Sequence, residues 1–352
     1  MDIKALLKLV VDKKASDLHL IVGSAPNIRI DGVLRPVEGE AILVAERAKE
    51  LIFPLLLPKQ KDFYLTNKEL DFSFEFGDMG RLRVNVYFQK GTMAANLRLI
   101  PSKIKTVEEL NLPKICHEIA KLKQGFILAT GPTGCGKSAT LAAIVEQINS
   151  DRADHIVTVE DPIEYVYVPK KSIISQREMH GDTYSWKIAL RSVLREDPDV
   201  VLVGEMRDYE TIAAAITVAE TGHLVLATLH TNNAAQTIDR IIDVFPEFQQ
   251  AQIRMQLANT LEAVLSQRLL PAIGGGRLPA VEILLGNSAV KTTIREGKSH
   301  LINNIIQTSA QIGMQSLEQN LARLVNDGKI QLKTAQEYAI SPQNLSRLLG
   351  RK

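Results

Sequence analysis

The chain has 352 residues, 45% of them hydrophobic and 23% charged, an ordinary globular composition that excludes disorder and gives length enough for two domains. A net charge of +2 excludes a global field that would recruit nucleic acid or an anionic membrane, leaving only local patches. No apolar stretch approaches the ~18 residues of a membrane span; Asp2, Lys4, Lys8 and Asp12 interrupt any signal-peptide core, and two cysteines, Cys116 and Cys135, suit a reducing compartment, so a cytoplasmic protein is expected.

Ile3, Leu6, Leu7, Val10 and Val11 recur at helical spacing and predict an amphipathic helix packed on its own domain. Strands follow at Leu18–Val22 and Asn27–Ile30, the second closed by the turn pair Asp31-Gly32. Leu70, Phe72, Phe74 and Phe76 alternate with polar residues, as do Leu82, Val84, Val86 and Phe88, the pattern of half-buried strands in an antiparallel sheet. Residues 1–100 are therefore expected to form a small α+β domain, with a Pro-initiated polar linker over 101–112. From 113 the pattern becomes apolar strands separated by helices, as in a parallel α/β sheet covered on both faces. Its predicted strands are Phe126–Thr130, Ile156–Glu160, Val200–Val203 and Leu224–Leu229, and Asp182 is the expected N-cap of a helix ending near Arg195. Leu265–Leu270 and Leu278–Leu285, joined through Gly274-Gly275-Gly276, read as a β-hairpin that completes a core over 113–288; residues 289–352 read as helical. No internal repeat is visible.

Residues 131–138, GPTGCGKS, satisfy G-x-x-x-x-G-K-[ST] between a predicted strand and a predicted helix, the context of a phosphate-binding P-loop. Its binding residues are Gly131, Pro132, Thr133, Gly134, Cys135, Gly136, Lys137, Ser138 and Ala139. Glycines let backbone N–H groups converge on phosphate oxygens, and the helix N-terminus adds its dipole. Lys137 would neutralise the β- and γ-phosphates of ATP and Ser138 would ligate Mg²⁺. Such a loop needs an acid from another strand to hold the metal's waters, and VVLVGE places Glu205 at a strand's C-terminal end. The acidic run Glu160-Asp161-Pro162-Ile163-Glu164 follows another strand and offers a carboxylate to polarise the attacking water. His223 and His230 bracket a strand; seven residues apart, they face opposite sides and read on spacing alone as two hydrogen-bonded histidines. Arg81 and Arg83 lie on a polar strand face, solvated by default, although an arginine supplied from outside the loop's domain can stabilise phosphoryl transfer.

These blocks resemble the type IV pilus retraction ATPases, the twitching-motility ATPases of the type II/IV secretion ATPase superfamily. The resemblance runs through Ala15-Ser-Asp-Leu-His-Leu20, GRLRVNVY at 80–87, the P-loop, TVEDPIEY at 158–165, QREMHGDT at 176–183, LREDPDVVLVGEMRD at 194–208, TGHLVLATLHT at 221–231 and IREGK at 294–298. It implies an N-terminal PAS-like domain, a RecA-like P-loop ATPase domain and a helical C-terminal region, assembled as a homo-hexamer that works on an inner-membrane platform protein at the pilus base. It also implies that Glu164 acts on the attacking water and that Glu205 holds Mg²⁺ through water, without ordering the two. His223 and His230 match the family's nucleotide-proximal His pair, Arg81, Arg83 and Arg98 match arginines that approach the nucleotide as the domains close, and Arg207 belongs to the block of Glu205.

One stretch departs from the pattern. Residues 289–298 read AVKTTIREGK where retraction ATPases carry A-I-R-N-L-I-R-E-G/D-K, so the runner-up reading is an accessory retraction paralogue working beside a second retraction ATPase. Pilus-assembly and type II secretion ATPases fit less well, because two cysteines cannot build their four-cysteine zinc insertion. A nucleic-acid translocase is disfavoured by the neutral charge and by only 5% aromatic residues for stacking on bases.

Overall fold

The protein divides by its internal contacts into one unit of Met1–Lys103 with Pro162–Val166 and another of Ile104–Asp161 with Tyr167–Lys352. The structure, a computed structural model, describes residues 1–30, 32–77, 80–100 and 103–350. Asp31 of the expected turn and Pro101 and Ser102 of the expected linker lie outside the described residues.

In the first unit, helix α1 (Ile3–Asp12) starts where Asp2 accepts a hydrogen bond from the Ala5 amide at 2.8 Å, which satisfies one orphan N–H of the first turn. Ile3, Leu6, Leu7 and Val10 are buried, as their spacing predicts. Strands β1 (Asp17–Ile21), β2 (Asn27–Ile30), β3 (Val33–Pro36), β4 (Glu69–Glu75), β5 (Arg81–Gln89) and β6 (Thr92–Ile100) form an antiparallel sheet in the order β3-β2-β1-β6-β5-β4. Leu82, Val84 and Val86 turn to the core with Phe72 and Leu97. Two helices not read from the sequence, α2 (Ala45–Ile52) and α3 (Pro58–Asn67), contribute Leu51, Ile52 and Tyr64 to that core; the Tyr64 hydroxyl donates to the Tyr87 carbonyl at 3.1 Å.

The second unit opens with α4 (Ile115–Lys121) and is built on strands β7 (Gly125–Thr130), β8 (His155–Glu160), β9 (Ile173–Glu178), β10 (Val200–Val203), β11 (Leu224–Leu229), β12 (Leu261–Pro271) and β13 (Arg277–Leu285). Their order is β13-β12-β7-β11-β10-β8-β9, parallel throughout except for the β12–β13 hairpin. Every residue of β7, β10 and β11 is buried, as expected of strands covered on both faces. Helix α5 (Lys137–Asp151) follows the P-loop; α6 (Trp186–Val193), α7 (Tyr209–Glu220), α8 (Ala234–Asp243) and α9 (Glu247–Thr260) complete the layers. Strand β9 was not expected, because its burial is intermediate along most of its length, as befits an edge strand. Asp182 does not cap α6. Its carboxylate accepts from the Glu178 amide at 2.8 Å, and Ser185 takes the N-cap by accepting from Ile188.

Helices α10 (Ser288–Arg295), α11 (Ile302–Thr308), α12 (Leu317–Asn326), α13 (Leu332–Tyr338) and α14 (Pro342–Leu348) end the chain. The main core does not stop at 288, since Val290, Ile294, Ile302 and Ile306 join it. The last three helices instead make a separate small core, in which Leu317, Leu321, Ile330 and Leu345 pack on Leu270 and Ala280 of the hairpin. Among the described residues no helix is long and apolar enough to cross a membrane.

Candidate nucleotide site

The C-terminal ends of β7, β11 and β10 lie side by side in the sheet, so the P-loop, the His230 loop and Glu205 emerge along one edge, where open α/β sheets bind ligands. Pro132, Thr133 and Gly134 are exposed at the loop's crown, whereas Gly131, Cys135 and Lys137 are buried. Gly131 has φ +138°, and a Cβ there would meet the Gln267 carbonyl oxygen at 2.4 Å and Cys135 Sγ at 2.7 Å, so the backbone takes this path only with glycine. Burial raises the Cys135 thiol above its ordinary range despite the nearby Lys137 charge, and it stays protonated.

Lys137 reaches back along the loop. Its Nζ donates to the carbonyls of Gly131 (2.9 Å) and Pro132 (3.2 Å) and lies 3.4 Å from His230 Nδ1. The other ring nitrogen, His230 Nε2, is 2.9 Å from Glu205 Oε1, while Arg207 Nη2 donates to Glu205 Oε2 at 2.8 Å. With Lys137 a donor and Glu205 an acceptor, the network assigns the proton to His230 Nε2. Burial by itself would push the Glu205 carboxyl up, but the hydrogen bond and charge of Arg207 and the hydrogen bond from His230 outweigh it and hold the group below its ordinary range. The edge thus presents an ammonium, an imidazole, an ionised carboxylate and a guanidinium in contact.

Glu160, at the end of β8, is buried, and its Oε1 accepts from Thr158 Oγ1 at 2.7 Å and from Gln176 Nε2 at 3.4 Å. Glu164 belongs by its contacts to the first unit, where its Oε1 lies 3.8 Å from Arg83 Nη1. In that unit Arg83 also makes a 2.6 Å bond to Asp71, Arg81 pairs with Glu75 at 3.1 Å and Arg98 with Asp17 at 2.9 Å. The two histidines are not brought together. His223 bonds Thr221 Oγ1 (3.0 Å) and the Val218 carbonyl (3.1 Å) before β11 begins, and a strand rising about 3.3 Å per residue puts it roughly 20 Å from His230. Its hydrogen-bonded setting is the one its spacing alone suggested, and it is not among the residues in contact with Lys137 and Glu205.

Several residues of the edge were not read as functional. Strand β12 pairs with β7 up to Ser266–Thr130 and then overruns it. Thr130 and Ser266 share a 2.8 Å hydroxyl contact, Gln267 bonds both the P-loop and α5, and Arg268 Nη2 donates to the Asn232 carbonyl at 3.2 Å and to Asn232 Oδ1 at 3.1 Å. Opposite Ser266 on β13 stands Glu282, whose Oε1 accepts from the Ala234 amide at the start of α8 at 2.8 Å. Burial, helped by the Glu318 charge and opposed by the Ala234 bond and Arg268, pushes the Glu282 carboxyl up to about 7. The available signal was Ser-Gln-Arg interrupting an apolar strand, since a buried strand carries polar side chains only where partners await them.

The sequence profile of the type II/IV secretion system protein family matches residues 1–276. The chain belongs to the type II/IV secretion ATPases, among the pilus retraction ATPases. It is 46% identical over 344 residues to the type IV pilus retraction ATPase PilT of Pseudomonas aeruginosa, covering 98% of this chain and all of that one. Identity to the type IV pilus ATPase PilU of the same organism is 37% over 350 residues, covering 99% of this chain and 91% of PilU. A crystal structure of the pilus retraction motor PilT with bound ADP superposes with a TM-score of 0.92 at 43% identity, covering 99% of both chains. A retraction ATPase fold, with its N-terminal domain, RecA-like domain and helical C-terminal region, accounts for both units described above.

Proposed function

We propose that this chain hydrolyses ATP at the P-loop edge to drive retraction of a type IV pilus, as one subunit of a homo-hexameric ring held at the inner face of the membrane by the pilus platform protein. The observation that carries the reading is the contact chain Lys137–His230–Glu205–Arg207 at the P-loop, in a chain that matches a retraction motor from end to end. The site's own features fit a triphosphate: a glycine-only backbone path at Gly131 and a buried ammonium directed at the loop's carbonyls. Lys137 would leave those carbonyls for the β- and γ-phosphate oxygens, compensating charge that grows as the terminal bond breaks. Ser138 and Glu205 would hold Mg²⁺, Glu205 through water, and the ion when bound would neutralise charge on the β- and γ-oxygens. Arg207 and His230 keep Glu205 ionised and oriented for that work. Glu160 ends β8 and Glu164 stands in the loop that follows, and either could take the proton of the attacking water. Arg81 and Arg83 would reach a neighbouring subunit's nucleotide as the ring closes, exchanging their present carboxylate partners for phosphate.

The higher identity to PilT than to PilU favours the main motor over the accessory paralogue. Two measurements test the whole reading: Mg²⁺-dependent phosphate release by the purified chain, and pilus number and twitching in cells lacking its gene. Retraction predicts hydrolysis that Lys137→Ala removes, with excess surface pili and no twitching in the deletion. Normal twitching in the deletion would move the chain to the accessory role, and absence of hydrolysis by the parent would refute the enzyme assignment.

A further inference from the structure

Gln267 is a buried carboxamide, 1% exposed, in the middle of β12. Its Nε2 donates to the Cys135 carbonyl in the P-loop at 2.6 Å, and its Oε1 accepts from Thr140 Oγ1 on α5 at 2.8 Å. The carbonyl bond fixes which way the amide faces: a carbonyl can only accept, so Nε2 must meet Cys135, and Oε1 is the end left for the Thr140 hydroxyl to donate to. A Cβ added to Gly136 would lie 3.1 Å from that same Nε2, so the carboxamide packs directly on the loop's third glycine.

The consequence lies in the peptide unit between Cys135 and Gly136. In a planar trans peptide the carbonyl and the N–H point to opposite sides, so drawing the Cys135 carbonyl toward β12 turns the Gly136 N–H away from β12. That amide is one of those a P-loop offers to phosphate oxygens. Gly136 sits at φ +93°, and a glycine there lets the peptide rotate at little steric cost. Rotation would replace a donor by a carbonyl oxygen facing the phosphates, and the Gln267 bond opposes it.

We propose that Gln267 is a positioning residue that aims the Gly136 amide of the P-loop at the β-phosphate of a bound nucleotide. The assignment rests on the loop binding nucleotide phosphates, as above. Thr140 acts only through Gln267, by anchoring its Oε1. The residue touches no phosphate itself, so its signature is selectivity among nucleotides. An amide nest that cradles the β-phosphate matters for ADP and has little to grip in AMP.

The test is competition binding of ADP and AMP, with Mg²⁺, to the full chain and to Gln267→Met, which keeps length and approximate volume while removing donor and acceptor. Gln267→Met is expected to weaken ADP about tenfold while AMP changes less than about twofold, so that the ADP-to-AMP affinity ratio falls. Thr140→Val is expected to lower the ratio in the same direction by a smaller factor. The double variant should match Gln267→Met alone, because two residues acting through one bond are not additive. An unchanged ratio in Gln267→Met, whether both nucleotides weaken equally or neither does, overturns the assignment, as does full additivity in the double variant. If Gln267→Met does not fold, Thr140→Val carries the same comparison, and an unchanged ratio there overturns the proposal. A parent chain that binds neither nucleotide overturns the site reading itself and this assignment with it, whereas a parent that binds both isolates the question to Gln267.

Discussion

Glu282→Gln tests whether the buried carboxyl beneath the His230 loop is held neutral. In the fold its pKa moves from 4.5 to about 7, so between those values the folded chain keeps a proton that the unfolded chain has lost. Stability therefore falls as pH rises through that window, the reverse of the usual behaviour of a paired carboxylate. Converting the shift at 1.36 kcal/mol per unit gives a cost of about 3 kcal/mol once pH exceeds the folded value, and about 1 kcal/mol at pH 5. Glutamine reproduces the protonated side chain, keeps an oxygen for the 2.8 Å bond from Ala234 and carries no charge toward Glu318. Urea unfolding should find Glu282→Gln more stable than the parent by about 1 kcal/mol at pH 5 and by about 3 kcal/mol at pH 8. A variant that is less stable than the parent at pH 8, by an amount that does not vary with pH, would show that Glu282 is ionised in the fold and would refute the argument.

Glu205→Gln removes the charge held by Arg207 and His230 and should lower turnover about a hundredfold or more, with ADP affinity within a few-fold of the parent by calorimetry; full turnover would remove Glu205 from the chemistry. Lys137→Ala subunits mixed with Arg81→Ala/Arg83→Ala subunits should recover part of the ATPase activity that each lacks alone. Failure at every ratio, with co-assembly demonstrated, would confine the arginines to their own subunit. Arg295 and Glu296 end α10 on the surface, where Glu296 pairs with Lys298 at 2.9 Å and Arg295 bonds Thr292. Alanine at both should leave hydrolysis within a few-fold while abolishing twitching, and a matching collapse of hydrolysis would place the segment in the catalytic or folding core.

The α/β alternation, the P-loop and the acid at the end of β10 were legible because each is a local pattern: apolar runs for buried strands, glycines at fixed offsets, a carboxylate directly after a strand. Helices α2 and α3 were not, since their apolar residues only acquire a face once Leu51, Ile52 and Tyr64 have a sheet to cover. Asp182 and Ser185 are equally good caps in sequence, and only the turn after β9 decides between them. His223 shows a different limit. Its block in the sequence is contiguous with that of His230, yet a strand carries the two to opposite ends of the sheet. Gln267 and Glu282 went unread because a polar residue in a strand takes its meaning from partners more than 40 residues away, the P-loop for one and the first turn of α8 for the other.

The overrunning hairpin has a mechanical consequence. Strands β12 and β13 are bonded from Ala263–Leu285 to Pro271–Arg277, and antiparallel hydrogen bonds lie perpendicular to the strands. A pull along the hairpin loads these bonds side by side in shear, so the ribbon transmits force without opening one bond at a time. The last three helices are bolted to it through Leu270 and Ala280, and the same stretch, where Ala280 stands opposite Arg268, is fastened to the P-loop by Gln267 and to the His230 loop by Arg268. A tug on that helical tail would therefore arrive at both nucleotide loops together, and a motor built this way would feel its load at the place where it grips its fuel.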